Sequence, residues 1–461
     1  MSTHPWPSRK PHSGEIAAVD GRIGHLDKIS FLGLRACGYK EIIQFTWIYC
    51  RPIDFDAVHR FHQNLGYGLL GRVIERSPLP VARERWVLSR APQGLDIAPT
   101  ARPRSGVSGW ADERAGLALD PERGPSWHLG VLPLTDGGAA ISLAASHTVA
   151  DAVGMSLTVA EAADDRRREL GYPPPRSRSW AEALRDDGRN IAAAVPAMAR
   201  ALPATWQLVR RKRQLGSAAA DASPSPRTPL GDQPATITTV TAYVDLTQWD
   251  NRVESLRGTS NSLFAGVAAR LGARVGRVAD DGSVTLFCPV NERTDGDTRG
   301  NALNYAVVRV DPTHAARDLT DTRSRIKQSL VELAANSNDS LALLPLASAI
   351  PPWMARRMTG LWQGSGNTTI GCSNVGDLHP AVNRPDGTDA DYLSVRLTWQ
   401  GSSNAIMDQL GGKLFLLSGR VHDKLFVAIT ACPVGHDISK SDLAAAVSRT
   451  FEEFALTPEI E

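Results

Sequence analysis

The chain has 461 residues, of which 42% are hydrophobic and 22% charged. This excludes the disordered and fibrous classes and allows two domains or half-domains of about 200 residues each. With 51 Lys and Arg against 49 Asp and Glu, no whole-molecule field exists to capture nucleic acid, and any charge-based contact has to be local. The five cysteines are scattered, odd in number and lack a CxxC pair, a pattern that points to a reducing compartment and no metal site.

Residues 1–23 are expected to form a flexible N-terminus. Met1 to Glu15 lacks the apolar run of a secretory signal, and nowhere do 18 apolar residues follow one another. A cytoplasmic protein without a transmembrane segment is therefore expected, with peripheral membrane contact left open. An N-terminal half-domain is expected over 24–175. It starts with a strand at Ile42–Tyr49 closed by Pro52, and continues with a helix capped by Asp54 or Asp56 and running to about Leu65. A polar, Pro-containing stretch from about Ala91 to Pro125 reads as loop. Trp127–Leu134 and Ala139–Ala145 then read as two strands joined by the turn Asp136-Gly137-Gly138, because Asp and Gly tolerate the positive φ of a tight hairpin. The second strand runs into Ser146-His147, and a helical pattern follows from Asp151 until Gly171 and Pro173–Pro175 end it.

Residues 176–235 are expected to form a helical crossover and mobile linker. This segment has an Ala-rich helical region at Trp180–Leu215, ending in the basic cluster Arg210–Arg213, and then a Ser, Pro, Ala and Gly-rich tract at Gly216–Ala235. A C-terminal half-domain is expected over 236–461. It has strands at Thr236–Val244, Ser283–Val290, Ala302–Val310, Thr368–Cys372, Tyr392–Trp399, Lys413–Val421 and Lys424–Ala431. Its helices fall near Thr247–Leu256, Asn261–Gly276 and Ala315–Ala335, and a last helix capped by Ser439 ends near Phe454.

The segment Ala145-Ser146-His147-Thr148-Val149-Ala150-Asp151-Ala152-Val153-Gly154 lies where a buried strand gives way to a helix. Such a junction projects a side chain into a cleft. A neutral imidazole there can accept a proton near neutral pH, which makes His147 a candidate general base. Asp151 is not read as the orienting member of a relay. A sharp turn after His147 points it back into its own half-domain, where a buried carboxylate needs an Arg partner.

This segment resembles the HHxxxDG motif of the superfamily of chloramphenicol acetyltransferase, nonribosomal condensation domains and wax ester synthase/diacylglycerol acyltransferases. The catalytic His and the Asp are retained, while Ser146 and Ala152 replace the first His and the final Gly. Gly258-Thr259-Ser260-Asn261, Pro289-Val290-Asn291-Glu292-Arg293 with Gly300-Asn301, and Cys372-Ser373-Asn374-Val375-Gly376 also resemble the family in the same order along the chain. The resemblance implies an α/β fold of two half-domains, each a mixed sheet flanked by helices, arranged in a V with a tunnel between them. It implies His147 as base and Asp151 paired with an Arg, with Arg72 the first candidate and Arg293 the second. Ser373 and Asn374 are placed as oxyanion or substrate contacts, and Ser146 and Gly154 are grouped with them. A strand-end turn is the alternative role for Asn374.

The implied activity is transfer of an acyl group from acyl-CoA or a phosphopantetheine carrier-protein thioester to a small alcohol or amine acceptor, with no metal and no tightly bound cofactor. The alternatives are a free-standing condensation enzyme and a non-catalytic binding member. Ala152 is expected to block a special backbone angle or to narrow the tunnel. Arg210–Arg213 is a candidate contact for a CoA phosphate, an acidic carrier protein or a lipid surface, or else a solvated helix end. His436-Asp437 reads as a turn.

Overall fold

The computed structural model describes residues 21–38, 40–89, 94–196, 233–342, 369–433 and 437–461, with a few single positions between. The expected flexible residues 1–20, the cluster Arg210–Arg213, most of the expected linker and His436 lie outside the described residues. In chain order the first part contains α1 (His25–Cys37), β1 (Lys40–Tyr49), α2 (Phe55–Leu65), β2 (Arg72–Glu75), β3 (Arg85–Leu88) and β4 (Asp96–Ile97). It continues with α3 (Val107–Ala115), β5 (Trp127–Pro133), β6 (Ala139–Ser146) and α4 (Ala152–Ala163). Residues 180–196 are also helical.

The second part contains β7 (Thr238–Asp245), α5 (Leu246–Ser255), α6 (Ser260–Arg274), β8 (Val284–Asn291), β9 (Leu303–Val310), α7 (Thr320–Ala342) and β10 (Ile370–Asp377). It ends with β11 (Tyr392–Gln400), α8 (Asn404–Gln409), β12 (Lys413–Val421), β13 (Lys424–Cys432), α9 (Lys440–Glu453) and β14 (Glu459–Ile460).

The strands form two mixed sheets flanked by helices. The first has the order β11-β1-β6-β5-β4 and the second β14-β7-β13-β12-β10-β8-β9, while β2 and β3 make a separate ribbon. Strands β1 and β6 are buried along nearly their whole length. Both faces are covered, which is why they read as continuous apolar runs without alternation. In the second sheet Leu414 and Leu416 enter the core beneath α6 and α9, and Phe415 and Leu417 point to the opposite face.

The boundary expected at residue 236 is crossed by one strand. β11, expected within the C-terminal half, pairs antiparallel with β1 from Lys40↔Gln400 to Ile48↔Tyr392. It covers an edge that the apolar β1 would otherwise leave open. One core cluster accordingly runs from Phe45, Trp47 and Ile141 through Val395 to Leu417 and Phe426.

Other differences are local. The stretch expected as loop contains α3, whose Trp110 is buried. The helix expected from Ala315 starts at Thr320, because Asp318 holds the Thr320 amide and hydroxyl. None of the helices in the described residues is long and apolar enough to cross a membrane.

Candidate active site

His147 follows the last residue of β6, and its backbone continues the ladder. Its amide donates to the Glu41 carbonyl at 2.8 Å, and its carbonyl accepts from Asn301 Nδ2 at 3.0 Å. Every residue from Gly138 to Asp151 is buried except His147, which is half-buried. Its ring makes no hydrogen bond among the described residues and lines a cavity of about 50 Å³. The strand end thus presents one imidazole to the cavity while its neighbours along the chain, from Gly138 to Asp151, are packed.

The loop behind the ring is anchored at three of its residues. Thr148 Oγ1 lies 2.8 Å from Ser30 Oγ on α1, the Val149 carbonyl accepts from Arg72 Nη2 at 2.8 Å, and the Asp151 amide donates to the Gly300 carbonyl at 2.8 Å. Asp151 caps α4 by accepting from the Gly154 amide at 2.7 Å. Its other oxygen accepts from the Ala302 amide at 2.8 Å and from Arg293 Nη2 at 2.9 Å. With side chains 3% and 1% exposed, Arg293 and Asp151 form a fully desolvated pair.

Arg293 is held further by the carbonyls of Asp297, Arg299 and Gly300. Three hydrogen bonds thus hold the carboxylate, and the His147 ring is not among its partners in the described residues. The geometry therefore makes Asp151 a brace rather than a relay member.

Arg72, the first candidate partner for Asp151, bonds elsewhere. Its side chain is completely buried and donates to Tyr172 Oη, the Thr298 carbonyl and the Val149 carbonyl. Its guanidinium also stacks 3.9 Å from the Trp86 ring centroid. It ties the loop after His147 to the loop that carries Arg293 by neutral acceptors, and nearby Arg293 takes the carboxylate.

The cavity opens where the second sheet divides. β8 and β10 pair in parallel only at Ile370↔Leu286 and Gly371↔Phe287. Beyond that point β8 stays with β9 and β10 stays with β12. Pro289 and Asn291 on one branch and Ser373, Asn374 and Val375 on the other border the gap, opposite His147, Ala152 and Val153. Ile43 and Leu397, register partners in the first sheet, close it from that side. Most of the lining is apolar, and its one charged side chain, Asp151, is neutralised by Arg293. Tyr305, beside Leu303 on β9, has its phenol pushed up by burial, with Glu41 and Asp151 adding to the effect, so it stays protonated. A second cavity, bordered by Tyr67, Gly71 and Arg168–Tyr172, shares no lining residue with the first.

The two-sheet fold that carries this site has counterparts among solved structures. Trichothecene 15-O-acetyltransferase from Fusarium sporotrichioides superposes with a TM-score of 0.58 at 13% identity, covering 94% of this chain and 94% of that one. The first condensation domain of the calcium-dependent antibiotic synthetase gives 0.55 at 14%, covering 94% and 96%. The wax ester synthase/diacylglycerol acyltransferase from Marinobacter aquaeolei gives 0.53 at 15%, covering 94% and 98%. The chain has the condensation-domain and acyltransferase fold. No protein-family model matches the sequence, and no curated protein sequence matches it.

Within this acyltransferase-type fold the remaining candidates separate. Ser373 and Asn374 both border the cavity. The Ser373 hydroxyl makes no hydrogen bond among the described residues. Asn374 is engaged: its Oδ1 accepts from the Gly376 amide at 2.9 Å and its Nδ2 donates to Asn261 Oδ1. Ser146 is a correction. It pairs with Ile42, so its side chain lies on the face of the sheet opposite Ile43 and the cavity, and it is 4% exposed.

Gly154 is a second correction. It is buried behind the capped carboxylate, and a β-carbon there would lie 2.9 Å from Arg293 Nη2. Its role is to leave room for the guanidinium. Ala152 occupies ordinary helical backbone at the start of α4, so no special angle is blocked, and its methyl borders the cavity. Sequence reading did not single out Asp27, which is completely buried and accepts from the Gly300 and Asn301 amides and from Asn301 Nδ2. Its acidic position in the first turn of α1 gave no hint of a partner more than 270 residues away.

Proposed function

We propose that the protein is an acyltransferase that moves an acyl group from a thioester to a hydroxyl or amine acceptor, with His147 as general base. The observation that carries this reading is the isolation of His147: it is the one half-buried residue in an otherwise sealed stretch, and it borders the cavity at the sheet junction.

The imidazole accepts the acceptor's proton as its oxygen or nitrogen attacks the thioester carbonyl. The imidazolium then returns that proton to the departing thiolate, so the ring ends the cycle neutral. Ser373 Oγ is assigned to donate to the oxyanion, a contribution of about 3 kcal/mol for a well-placed donor. Asp151, Arg293, Arg72 and Asn301 act as positioning residues that hold the His147 backbone.

In this reading acyl-CoA or a carrier-protein phosphopantetheine thioester is the donor, and donor and acceptor approach the ring from opposite sides in a cytoplasmic reaction that needs neither a metal nor a bound cofactor. The apolar lining favours an uncharged acyl group and a small neutral acceptor. Thiol release is to be measured with a panel of acyl-CoAs and the matching acyl carrier proteins, with and without alcohols and amines. His147→Ala is expected to lower acceptor-dependent release by about 10²–10⁴-fold. Undiminished release by that variant at normal folding would end the proposal. Preference for the carrier-bound donor would identify a free-standing condensation enzyme.

A further inference from the structure

Gly371 on β10 is the register partner of Phe415 on β12. A β-carbon at 371 would overlap the Phe415 ring, so the ring occupies the space that a side chain at 371 would fill. From there it borders the same cavity as His147, together with Ser373 and Leu417 on the same face of their strands. Two residues back along β12, on that face, comes Lys413, whose ammonium is pushed down in pKa by burial, with Arg277 adding to this and Glu41 opposing it. The ring therefore stands between the neutral pocket at His147 and a charged region about 6–7 Å further along the strand.

The geometry points to Phe415 as the specificity-determining residue of the site: seated over Gly371, its ring limits how far an apolar group can extend beside His147. This rests on the acyltransferase reading only for what the group is, an acyl or acceptor chain. The limit itself follows from the packing of β10 against β12. A cavity of about 50 Å³ is well short of the roughly 150 Å³ that admits a benzene-sized guest, and along β12 the ring fills the space into which a chain would lengthen.

The test uses the full chain and the straight 1-alkanols from ethanol to decanol. Binding is read as protection of His147 from carbethoxylation by diethyl pyrocarbonate, quantified by peptide mass spectrometry. In the wild type the half-protecting concentration is expected to fall about fourfold per added methylene up to a cut-off length, then level off. Phe415→Ala moves the cut-off to chains at least two carbons longer, and Phe415→Leu moves it in the same direction if the alanine variant folds poorly. Gly371→Ala, which pushes the ring off its seat into the cavity, shortens it. An unchanged cut-off in folded Phe415 variants, or no protection by any alkanol, overturns the inference. Neither readout requires turnover, so failure here is distinguishable from failure of the base role of His147.

Discussion

The pairing of Asp151 with Arg293 separates a structural from a catalytic carboxylate by experiment. Arg293→Met leaves a carboxylate that is 1% exposed with two backbone donors and no countercharge, and breaking such a buried pair costs about 3–5 kcal/mol. An unfolding entropy of about 2.1 cal/mol/K per residue over 461 residues is about 1 kcal/mol/K. The melting midpoint is therefore expected to fall by about 3–5 °C. Asp151→Asn strands the guanidinium instead, with a loss of similar size, although an amide oxygen can still cap Gly154. The double variant removes both charges, so its loss is smaller than the two single losses taken together, giving a coupling of about 1–3 kcal/mol.

Thermal and urea unfolding measure the stabilities, and thiol release per folded molecule measures the chemistry. If Asp151 oriented the imidazole as in a catalytic triad, Asp151→Asn would lose about 10⁴-fold in turnover with little change in stability. That result, or additive losses in the double variant, would refute the bracing role.

Two further predictions concern the same scaffold. Gly154→Ala places a methyl 2.9 Å from both Arg293 Nη2 and Leu69 Cδ1. It should cost about 1–3 kcal/mol in urea unfolding, and a midpoint equal to wild type would contradict the packing argument. His128 is half-buried on β5, and burial, with Arg114 adding to it, holds its pKa at about 4 against 6.5 when unfolded. Between those values the unfolded chain binds a proton that the folded chain does not, so its contribution to stability is full above about pH 6.5 and is lost as pH falls toward 4. His128→Gln should flatten stability against pH in that window by up to one proton. An unaltered slope, compared by urea midpoints at pH 4.5 and 7, would show that the His128 ring titrates normally.

Much of the local structure was legible. The hairpin of β5 and β6, the start of the helix after Asp151 and most strands of the second sheet fall close to where periodicity and turn residues place them, while that helix, expected to run until Gly171, ends at Ala163. Helix α1 was not anticipated, because Gly24 supplies no side-chain cap at its start. Helix α3, nine residues long, is hidden among prolines and glycines. The position of His147 at a strand end was legible, since a continuous apolar run ending in Ser-His before a helix cap has few other readings. Its neighbours were less so: of the two arginines considered for Asp151, only the fold selects Arg293, and neither Ser146 nor Gly154 reaches the cavity.

The sequence by itself determined where most of the strands and helices lie, that the chain has enough apolar surface for two layered halves, and that one histidine stands at a strand-to-helix junction. Those properties depend on neighbours within a few residues, where side-chain alternation and capping act. Tertiary structure alone decided that β11 joins β1, that Arg293 rather than Arg72 meets Asp151, that β8 and β10 part beyond residue 371, and that Phe415 lies across Gly371. Each of these joins groups distant along the chain. A burial pattern tells which face of a strand is covered, but which partner covers it is settled only when all the faces compete for the same core.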